Sequence, residues 1–408
     1  MTIVILNDFA FVNGGAGQVA ISSAIALAES GYNIVLFAAV GPVDEKLMGC
    51  KNLRVVCLNQ YDILNDPKRH RAIIYGVWNR HSAKRLKEEL LKLDKEKTIV
   101  HVHAYSKALS SSCIYVARKM GFKILFHLHD YGVACPNLGF YNYQKQTICK
   151  RIPLSMRCLV SNCDSRTYAH KIWRVIRQYI QKYVAGIPGE IKKFAAVSEF
   201  SYSILKEILP QNSNIYFIPN PINIEKTYPS HPENNSYITF IGRMTPEKNP
   251  VLLARAVEGL NLPALFIGEG PCEEEIKKSY SKARITGWVS SEEVEKLLRK
   301  TRVVVLTSMC YETQGMAVLE AVAKGVPVVV PDTCAASEFI INNRTGLIFQ
   351  SNNIRDLEKK LLMLCEDQLV RDLGRNAYKE FWKNPMSMDH YISNIVKVYS
   401  DILLTEQC

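Results

Sequence analysis

Runs of apolar residues alternate with amphipathic stretches along most of this chain. Short continuous apolar runs fit strands that are buried on both faces of a parallel sheet, and apolar residues that return every three or four positions fit helices packed against it. The alternation predicts an α/β protein with doubly wound parallel sheets. The runs that predict strands lie at 2–6, 34–40, 53–58, 98–103, 123–130, 194–197, 236–242, 303–307 and 326–330.

The stretch 311–330 combines a loop, a helix and a strand around two carboxylates. Its periodicity predicts a helix over 315–324, followed by the buried strand 326–330. Glu312 lies in the loop before the helix, and Glu320 lies in the second turn, eight positions further on. Helix N-terminal amides attract phosphate, and carboxylates accept hydrogen bonds from sugar hydroxyls. The stretch therefore suits a sugar nucleotide.

Two further blocks accompany this stretch. They read GRMTPEKNPVLLARAV at 242–257 and IGEGP at 267–271. Together the three blocks resemble the retaining, sugar-nucleotide-dependent glycosyltransferases of the family-four type (glycosyl transferases group 1), and the resemblance extends over nearly all of the chain. It implies the GT-B fold, in which two doubly wound, Rossmann-like domains face each other across a cleft and a C-terminal helix crosses back to the first domain.

A linker at 223–236, which is rich in proline and asparagine, marks the expected domain boundary. We expect residues 1–222 to form an N-terminal acceptor-binding domain, joined by a returning helix within 387–408. Residues 223–386, including the linker, are expected to form the sugar-nucleotide-binding domain.

The resemblance implies roles for several residues of the second domain. Arg243 and Lys248 match the diphosphate-binding pair of the family in the block G-R-x-x-x-E-K, and their charges would stabilise a departing diphosphate. Glu312 would hold hydroxyls of the donor sugar, and Glu320 would hold the ribose. The other donor-binding candidates there are Gly268, Gly270, Trp288, Val289, Gly315, Met316 and Ala317.

A glycine turn, NGGAG at 13–17, follows the first strand and opens a helix. Glycines let backbone amides approach a diphosphate without a side chain in the way. In the resembled family this turn faces the bound donor and acceptor. Gly14, Gly15 and Gly17 are therefore further donor-binding candidates.

Two of the predicted strands end in pairs of histidines, at 101 and 103 and at 127 and 129. Open parallel sheets bind ligands at the carboxyl ends of their strands. The segment HDYGVACP at 129–136 is similar to the one in which the family places a histidine beside the reacting sugar. We expect His129 to be the active-site histidine, Asp130 to orient it, and His103 to lie on the acceptor side.

Four cysteines lie close together in sequence, at 135, 149, 158 and 163. Structural zinc sites usually use closely spaced cysteine pairs, and only Cys158 and Cys163 approach that spacing. A surface loop with reduced thiols is the favoured interpretation, and a zinc site stays open. For the catalytic reaction the resemblance implies neither a metal nor another cofactor.

The segment 167–186 predicts a helix with tyrosine and isoleucine on one stripe and basic residues between them. Two interpretations stay open. The helix is an ordinary packed helix with solvated charges, which we favour, or its apolar stripe contacts an anionic membrane surface. Trp173 and Arg174 in this segment are acceptor-side candidates.

Composition limits the class of protein. The 408 residues suffice for two cores, and 51 basic against 39 acidic residues give a net charge of +12, which favours anionic partners. The charge is dispersed and no nucleic-acid-reading motif appears, so a nucleic-acid-binding protein is disfavoured. No apolar run is long enough to span a bilayer, and the twelve cysteines do not suggest a disulfide scaffold. We expect a cytoplasmic protein with possible peripheral contact to the inner face of the cell membrane.

The resemblance implies retaining transfer of a hexose-type sugar to a saccharide or lipid-linked saccharide, as in bacterial surface polysaccharide synthesis, with a UDP-sugar favoured over a GDP-sugar. A sugar-nucleotide epimerase of the same fold and a non-catalytic nucleotide-sugar-binding protein remain alternatives. A nicotinamide oxidoreductase is disfavoured because Ala20 stands where the third glycine of G-x-G-x-x-G is needed. The substrates, the linkage formed and the oligomeric state stay open.

Overall fold

The computed structural model describes residues 1–404. They form two compact units, and the first comprises Met1–Gly139, Arg151–Pro221 and the C-terminal segment from Met388. The second comprises Phe140–Lys150 and Ile222–Ser387, so the short segment at 140–150 groups with the second unit although it lies within the range 1–222. Residues 405–408 of the predicted returning helix lie outside the described residues.

The strands and helices alternate as the hydrophobic pattern predicts. The strands are β1 (Thr2–Phe9), β2 (Asn33–Val40), β3 (Leu53–Cys57), β4 (Thr98–Val102), β5 (Lys123–Leu128), β6 (Tyr141–Asn142), β7 (Thr147–Ile148), β8 (Lys193–Ala196), β9 (Asn214–Phe217), β10 (Tyr237–Ile241), β11 (Ala264–Ile267), β12 (Arg284–Ile285), β13 (Thr301–Val305), β14 (Val328–Pro331) and β15 (Leu347–Phe349). The helices are α1 (Gly15–Glu29), α2 (Arg69–Val77), α3 (Arg80–Leu90), α4 (Ser111–Lys119), α5 (Met156–Leu159), α6 (Tyr168–Tyr183), α7 (Glu199–Leu205), α8 (Pro250–Leu260), α9 (Glu273–Ser279), α10 (Ser291–Leu298), α11 (Met316–Ala323), α12 (Ile354–Met363), α13 (Asp367–Phe381) and α14 (Met388–Leu404).

The first unit is built on a seven-stranded sheet in the order β3-β2-β1-β4-β5-β8-β9, with every neighbouring pair parallel. The central strand β1 is apolar almost throughout and is buried from its second residue onward, as a strand covered on both faces must be. Strand order reverses between β1 and β4, where doubly wound sheets commonly bind ligands.

Helix α14 completes the core of this unit. Its buried residues Tyr391, Ile395 and Tyr399 pack in the same cluster as Ile3 and Ile5 of the central strand. The chain thus returns to its first unit after building the second.

The second unit contains a six-stranded parallel sheet in the order β12-β11-β10-β13-β14-β15, the same winding on a smaller scale. Helix α8 lies on one side of this sheet, where Leu253 and Val257 pack with Phe240 and Phe266. Helix α11 packs in a separate cluster through Val318 and its neighbours. Both sheets therefore agree with the predicted α/β doubly wound class.

Within residues 1–404, no helix combines the length and the apolar composition that crossing a membrane requires.

Candidate active site

An ion pair joins two loops at the carboxyl ends of β10 and β13 in the second unit. Lys248 ends a short 3-10 turn after β10, and its Nζ contacts Oε1 of Glu312, which lies in the loop between β13 and α11. Ser308 Oγ donates a hydrogen bond to the same carboxylate oxygen. Thr307 Oγ1 also donates to the carbonyl of Lys248 at 2.8 Å. The two loops thus hold the carboxylate in one orientation.

Both members of the pair are charged. Burial alone would raise the pKa of Glu312, but the ammonium of Lys248 and the hydroxyl of Ser308 outweigh it, and the net pKa lies below the ordinary value. Burial likewise opposes the charge of Lys248, but Glu312 raises the net pKa of that lysine. The charge of Arg243 lowers the pKa of both groups, and the side chain of this arginine is 74% exposed. Glu312 is therefore an ionised carboxylate that can accept hydrogen bonds, and it lies beside two cations.

Helix α11 begins directly after this loop. Gly315 adopts the left-handed conformation (φ 83°) before the first helical residue, and a Cβ there would lie 2.9 Å from Cβ of Ala336. Only glycine combines this backbone angle with this close contact. The first amides of a helix have no partner within it, and in α11 these belong to Met316 and Ala317. They lie four and five residues beyond Glu312 in the chain.

Glu320 lies in the second turn of α11 and is partly buried. Burial raises the pKa of its carboxyl to about 7. This carboxyl therefore exchanges its proton near neutral pH, whereas Glu312 stays ionised. The environments of the two carboxyls push their pKa values apart, which is typical of groups with different tasks in one site.

Two glycine turns follow β10 and β11 in the second unit. Gly268 N donates to the carbonyl of Gly287, and Gly242 N donates to the carbonyl of Ile267. A Cβ on Gly268 would lie only 2.1 Å from the carbonyl oxygen of Gly242, and one on Gly270 would lie 2.5 Å from that of Met244. Backbone packs directly on backbone here, which leaves no room for any side chain.

Trp288 and Val289 follow β12 and differ in exposure. Trp288 is 75% exposed, whereas Val289 packs against Leu265 and Ile267 of β11. Their assignment to the nucleotide base stays a prediction.

Gly14, Gly15 and Gly17 belong to the first unit, in the turn between β1 and α1. Gly14 is the residue before the helix and has a positive φ of 86°. Gly17 is buried in the first turn of α1. The predicted strand, glycine turn and helix are present, and a ligand role for these glycines stays a prediction.

Four histidines at the ends of β4 and β5 form one hydrogen-bonded cluster in the first unit. His103 Nδ1 lies 2.9 Å from His129 Nε2, and its Nε2 lies 3.2 Å from His101 Nδ1. His101 Nδ1 also lies 2.7 Å from the hydroxyl of Tyr399 in α14, and its Nε2 lies 3.2 Å from His127 Nδ1. A connected set of contacts therefore fixes the ring of His129 through His103.

Burial keeps these imidazoles neutral. It lowers the pKa of His129 to about 3 and holds the pKa values of His101, His103 and His127 well below the ordinary value of histidine. Neutral imidazole is the form that binds metal ions, and ligand nitrogens of these last three lie within 4.8 Å of one another. The three could hold a metal ion, but the contacts among the rings account for their placement without one. Asp130, predicted to orient His129, accepts a hydrogen bond at 2.7 Å from the backbone of Gly132, and its orienting role stays a prediction.

Helix α6 buries much of its polar face. The basic Lys171 and Arg177 and the amides Gln178 and Gln181 are buried, whereas Lys182 is exposed. The expectation that the helix packs with solvated charges is therefore wrong for Lys171 and Arg177. The stripe of tyrosine and isoleucine lies outward instead, with exposed fractions between 37% and 67%. This outer stripe consists of Tyr168, Ile172, Ile176, Tyr179 and Tyr183.

Buried carbonyls explain this orientation. Gln181 Nε2 donates to the carbonyl of Gly132 at 2.9 Å, and Arg177 donates to those of Ser106 and Pro136 at 3.1 and 3.4 Å. Buried backbone oxygens need hydrogen-bond donors, and α6 supplies them from its polar face. Trp173 and Arg174, the acceptor-side candidates, both line a cavity beside this helix, whereas His103 belongs to the histidine cluster.

The four cysteines are divided between the two units, and a zinc site on them stays open. Cys149 groups with the second unit, whereas the other three group with the first. Lys171 Nζ lies 3.5 Å from Cys158 Sγ, and Cys163 also interacts with this buried ammonium and raises its pKa. Within residues 1–404 every cysteine is free of a disulfide.

Comparison with known families and structures identifies the chain. The family model for Glycosyltransferase Family 4 matches residues 13–226, and the model for Glycosyl transferases group 1 matches residues 222–380. The chain belongs to the family-four glycosyltransferases. The resemblance noted in the sequence is thereby confirmed, from the glycine turn at 13–17 to α13.

Solved structures extend the agreement to the fold of this glycosyltransferase. Sucrose-phosphate synthase from Thermosynechococcus elongatus superposes with a TM-score of 0.74 at 16% identity, covering 99% of this chain and 100% of that one. Anabaena HepE in complex with UDP-glucose superposes with a TM-score of 0.67 at 15% identity, covering 98% and 100%. The chain has the GT-B fold, as predicted.

Among curated relatives, the UDP-Gal:alpha-D-GlcNAc-diphosphoundecaprenol alpha-1,3-galactosyltransferase of Escherichia coli is 23% identical over 228 residues, which are 50% of this chain and 58% of that protein. The chain spans 58% to 60% of the length of the first curated relatives that it matches.

Sequence reasoning missed some residues of this candidate site. Ser308 binds Glu312, and Cys310, whose pKa burial raises to about 12, lies near Lys248. Gln314, directly before Gly315, is buried in the same loop. Polar residues that follow a buried strand are the signal that could have found them, because such positions fall at the ligand-binding edge of the sheet.

Proposed function

We propose that this protein transfers a hexose-type sugar from a nucleotide-diphosphate donor to a saccharide or lipid-linked saccharide, with retention at the anomeric carbon. The observation that carries the proposal is the pair of Lys248 and Glu312 beside Arg243. An ionised carboxylate only accepts hydrogen bonds, so Glu312 suits the hydroxyls of a sugar. Lys248 keeps that carboxylate charged and oriented.

The leaving diphosphate would be stabilised by Arg243, by Lys248 and by the first amides of α11. The exposed guanidinium of Arg243 is available for bidentate contacts with phosphate oxygens. No protein nucleophile is assigned. We propose front-face attack, in which a phosphate oxygen of the donor takes the proton of the acceptor hydroxyl, with no metal or other cofactor required.

A uridine donor is favoured over a guanosine donor. The E. coli relative is named for UDP-Gal, and the Anabaena structure contains UDP-glucose. Glu320 is proposed to bind the ribose, and Trp288 and Val289 the base. Gly14, Gly15 and Gly17 are proposed to contact the donor.

The first unit, residues 1–222 with the returning helix, is proposed to bind the acceptor. His129 is the proposed active-site histidine, with Asp130 and His103 beside it in sequence or in space. The outer stripe of α6 and the net charge of +12 support peripheral contact with an anionic membrane. A role in surface polysaccharide or other glycoconjugate synthesis follows from such an acceptor.

The test is release of nucleoside diphosphate from a panel of uridine and guanosine sugar nucleotides, with and without a crude lipid-linked acceptor. We expect acceptor-stimulated release from one UDP-sugar and a loss of at least about 100-fold in Glu312→Gln. Glu274→Gln, an exposed glutamate of α9, is the matched control. The anomeric configuration of the product, read by NMR, tests retention.

An isomerised donor without transfer would point to the epimerase instead. No turnover and no binding of any donor by a folded wild-type protein would refute the proposal. Because Glu312→Gln leaves Lys248 without its partner, circular dichroism of the variant must first establish that it folds.

A further inference from the structure

A cavity of about 360 Å³ lies beside α6 in the first unit. Its volume falls in the range of about 300 to 1,000 Å³ that small-molecule sites occupy. The lining is of two kinds. Apolar side chains such as Ile73, Leu138 and Trp173 form part of the wall, and basic side chains such as Arg69, Lys107 and Arg177 form another part.

Basic side chains line the cavity, and within residues 1–404 no Asp or Glu is part of its lining. Arg174 is paired with the buried Asp164 at 2.7 Å, but Arg177 makes no ion pair among the described residues. Its buried guanidinium lies 5.2 Å from the ring centroid of Trp173 and donates hydrogen bonds to backbone carbonyls. The carboxylates of Asp8 and Asp130 interact electrostatically with this guanidinium at longer range. A buried cation without a direct counter-ion favours an anionic ligand.

The apolar part of the cavity continues onto the surface. Ile73 and Leu64 line the cavity and are more than half exposed. Ile172 and Ile176 of the outer stripe lie on the neighbouring face of α6, roughly 60° to 100° around the helix axis from Trp173. A ligand with an anionic group inside the cavity could thus extend a long apolar chain over exposed apolar side chains.

We propose that this cavity binds the phosphate-bearing end of a lipid diphosphate, the carrier of the acceptor saccharide. The basic side chains take the diphosphate, and the apolar wall takes the first carbons of the chain. This inference rests on the proposed function in that it assigns the acceptor carrier. The binding step itself needs neither the donor nor turnover.

Farnesyl diphosphate is the probe, and its binding to the purified protein is measured by titration calorimetry without detergent, donor or membrane. The matched ligands are farnesol, which has the apolar chain without the diphosphate, and inorganic pyrophosphate, which has the diphosphate without the chain. Ala169→Trp fills the cavity from an exposed position of α6, and Lys84→Trp places the same side chain at an exposed position of α3 that does not line the cavity. Lys107→Glu reverses an exposed charge of the lining, and Lys182→Glu reverses one on α6 that does not line it.

We expect saturable, one-to-one binding of farnesyl diphosphate, and binding at least about tenfold weaker for either half ligand. Ala169→Trp and Lys107→Glu should each weaken binding by about tenfold or more, and both controls should leave it within about twofold. No saturable binding, or equal binding by Ala169→Trp, would overturn the proposal. Binding only to anionic vesicles, unchanged in Ala169→Trp, would also overturn it, because the membrane surface would then be the partner.

The same variants separate this inference from the proposed function. Farnesyl diphosphate binding by a protein that turns over no sugar nucleotide would leave the cavity assignment standing and refute the transferase. Full transfer to a lipid-linked acceptor by Ala169→Trp would refute the cavity assignment and leave the transferase standing.

Discussion

Replacing Glu320 by glutamine should stabilise the second unit at alkaline pH but hardly at acidic pH. Burial raises the pKa of Glu320 to about 7 from an ordinary value of 4.5, and 7 − 4.5 = 2.5. Each unit of pKa corresponds to about 1.36 kcal/mol, so ionising this carboxyl in the folded protein costs about 3 kcal/mol. Glutamine has nearly the same shape and cannot ionise, so the variant avoids that cost.

The sign follows from proton binding. Between pH 4.5 and 7 the folded protein holds a proton on Glu320 that the unfolded chain has released, so stability falls as the pH rises through this window. Part of that fall occurs below pH 5. The stability gained by Glu320→Gln should therefore be about 2.5 kcal/mol larger at pH 8 than at pH 5.

Hydrogen exchange of peptides from the second unit, measured for both proteins at both pH values, reports the free energy of opening of that unit alone. Glu274→Gln, which removes an exposed carboxyl, serves as the control and should show no such difference. A gain for Glu320→Gln that is the same at pH 5 and pH 8 would refute the reasoning. The variant should also bind the donor more weakly if Glu320 holds the ribose.

Three further predictions concern other parts of the molecule. The first unit should lose stability as the pH falls below about 6.5, because its buried histidines have depressed pKa values and take up protons only in the unfolded chain. If the free energy of opening, read from hydrogen exchange of β4 and β5 peptides, is the same at pH 7.5 and pH 5.5, this prediction is wrong. Gly268→Ala should destabilise the second unit by about 3 kcal/mol, since its Cβ would meet the carbonyl of Gly242, whereas Gly287→Ala, with a positive φ but open space, should cost about 1 kcal/mol in the same urea titration. Replacing Ile172 and Ile176 together by aspartate should reduce co-sedimentation with anionic vesicles by at least about tenfold, and Leu91→Asp, which is more exposed but distant in sequence, should not. Equal sedimentation of the wild type and both variants would argue against the outer stripe as a membrane contact.

The hydrophobic pattern predicted most of the fold because buried parallel strands are continuous apolar runs. Strand β14 and the left-handed Gly325 before it follow the pattern of 311–330 closely. The last helix was equally readable, because Tyr391, Ile395 and Tyr399 recur at helical spacing and are buried. Local sequence determines these features, so no knowledge of distant contacts was needed.

The orientation of α6 could not be predicted in this way. Periodicity separates the two faces of a helix but does not say which face is inside. That choice depends on the carbonyls of Gly132 and Ser106, far away in the chain, which need donors from Gln181 and Arg177. The contact between Lys248 and Glu312 could not be predicted from local sequence for the same reason. Both residues were singled out by motif, yet only the folded sheet brings positions 64 apart together.

The outward stripe of α6 changes how turnover should depend on substrate. If this stripe holds the protein on a bilayer and the acceptor is lipid-linked, as proposed, the two meet by diffusion in two dimensions. The effective concentration of acceptor is then set by its surface density in the bilayer. Diluting the acceptor with other lipids at constant bulk concentration should then slow the reaction. Adding more vesicles of unchanged composition should leave the rate per bound protein the same.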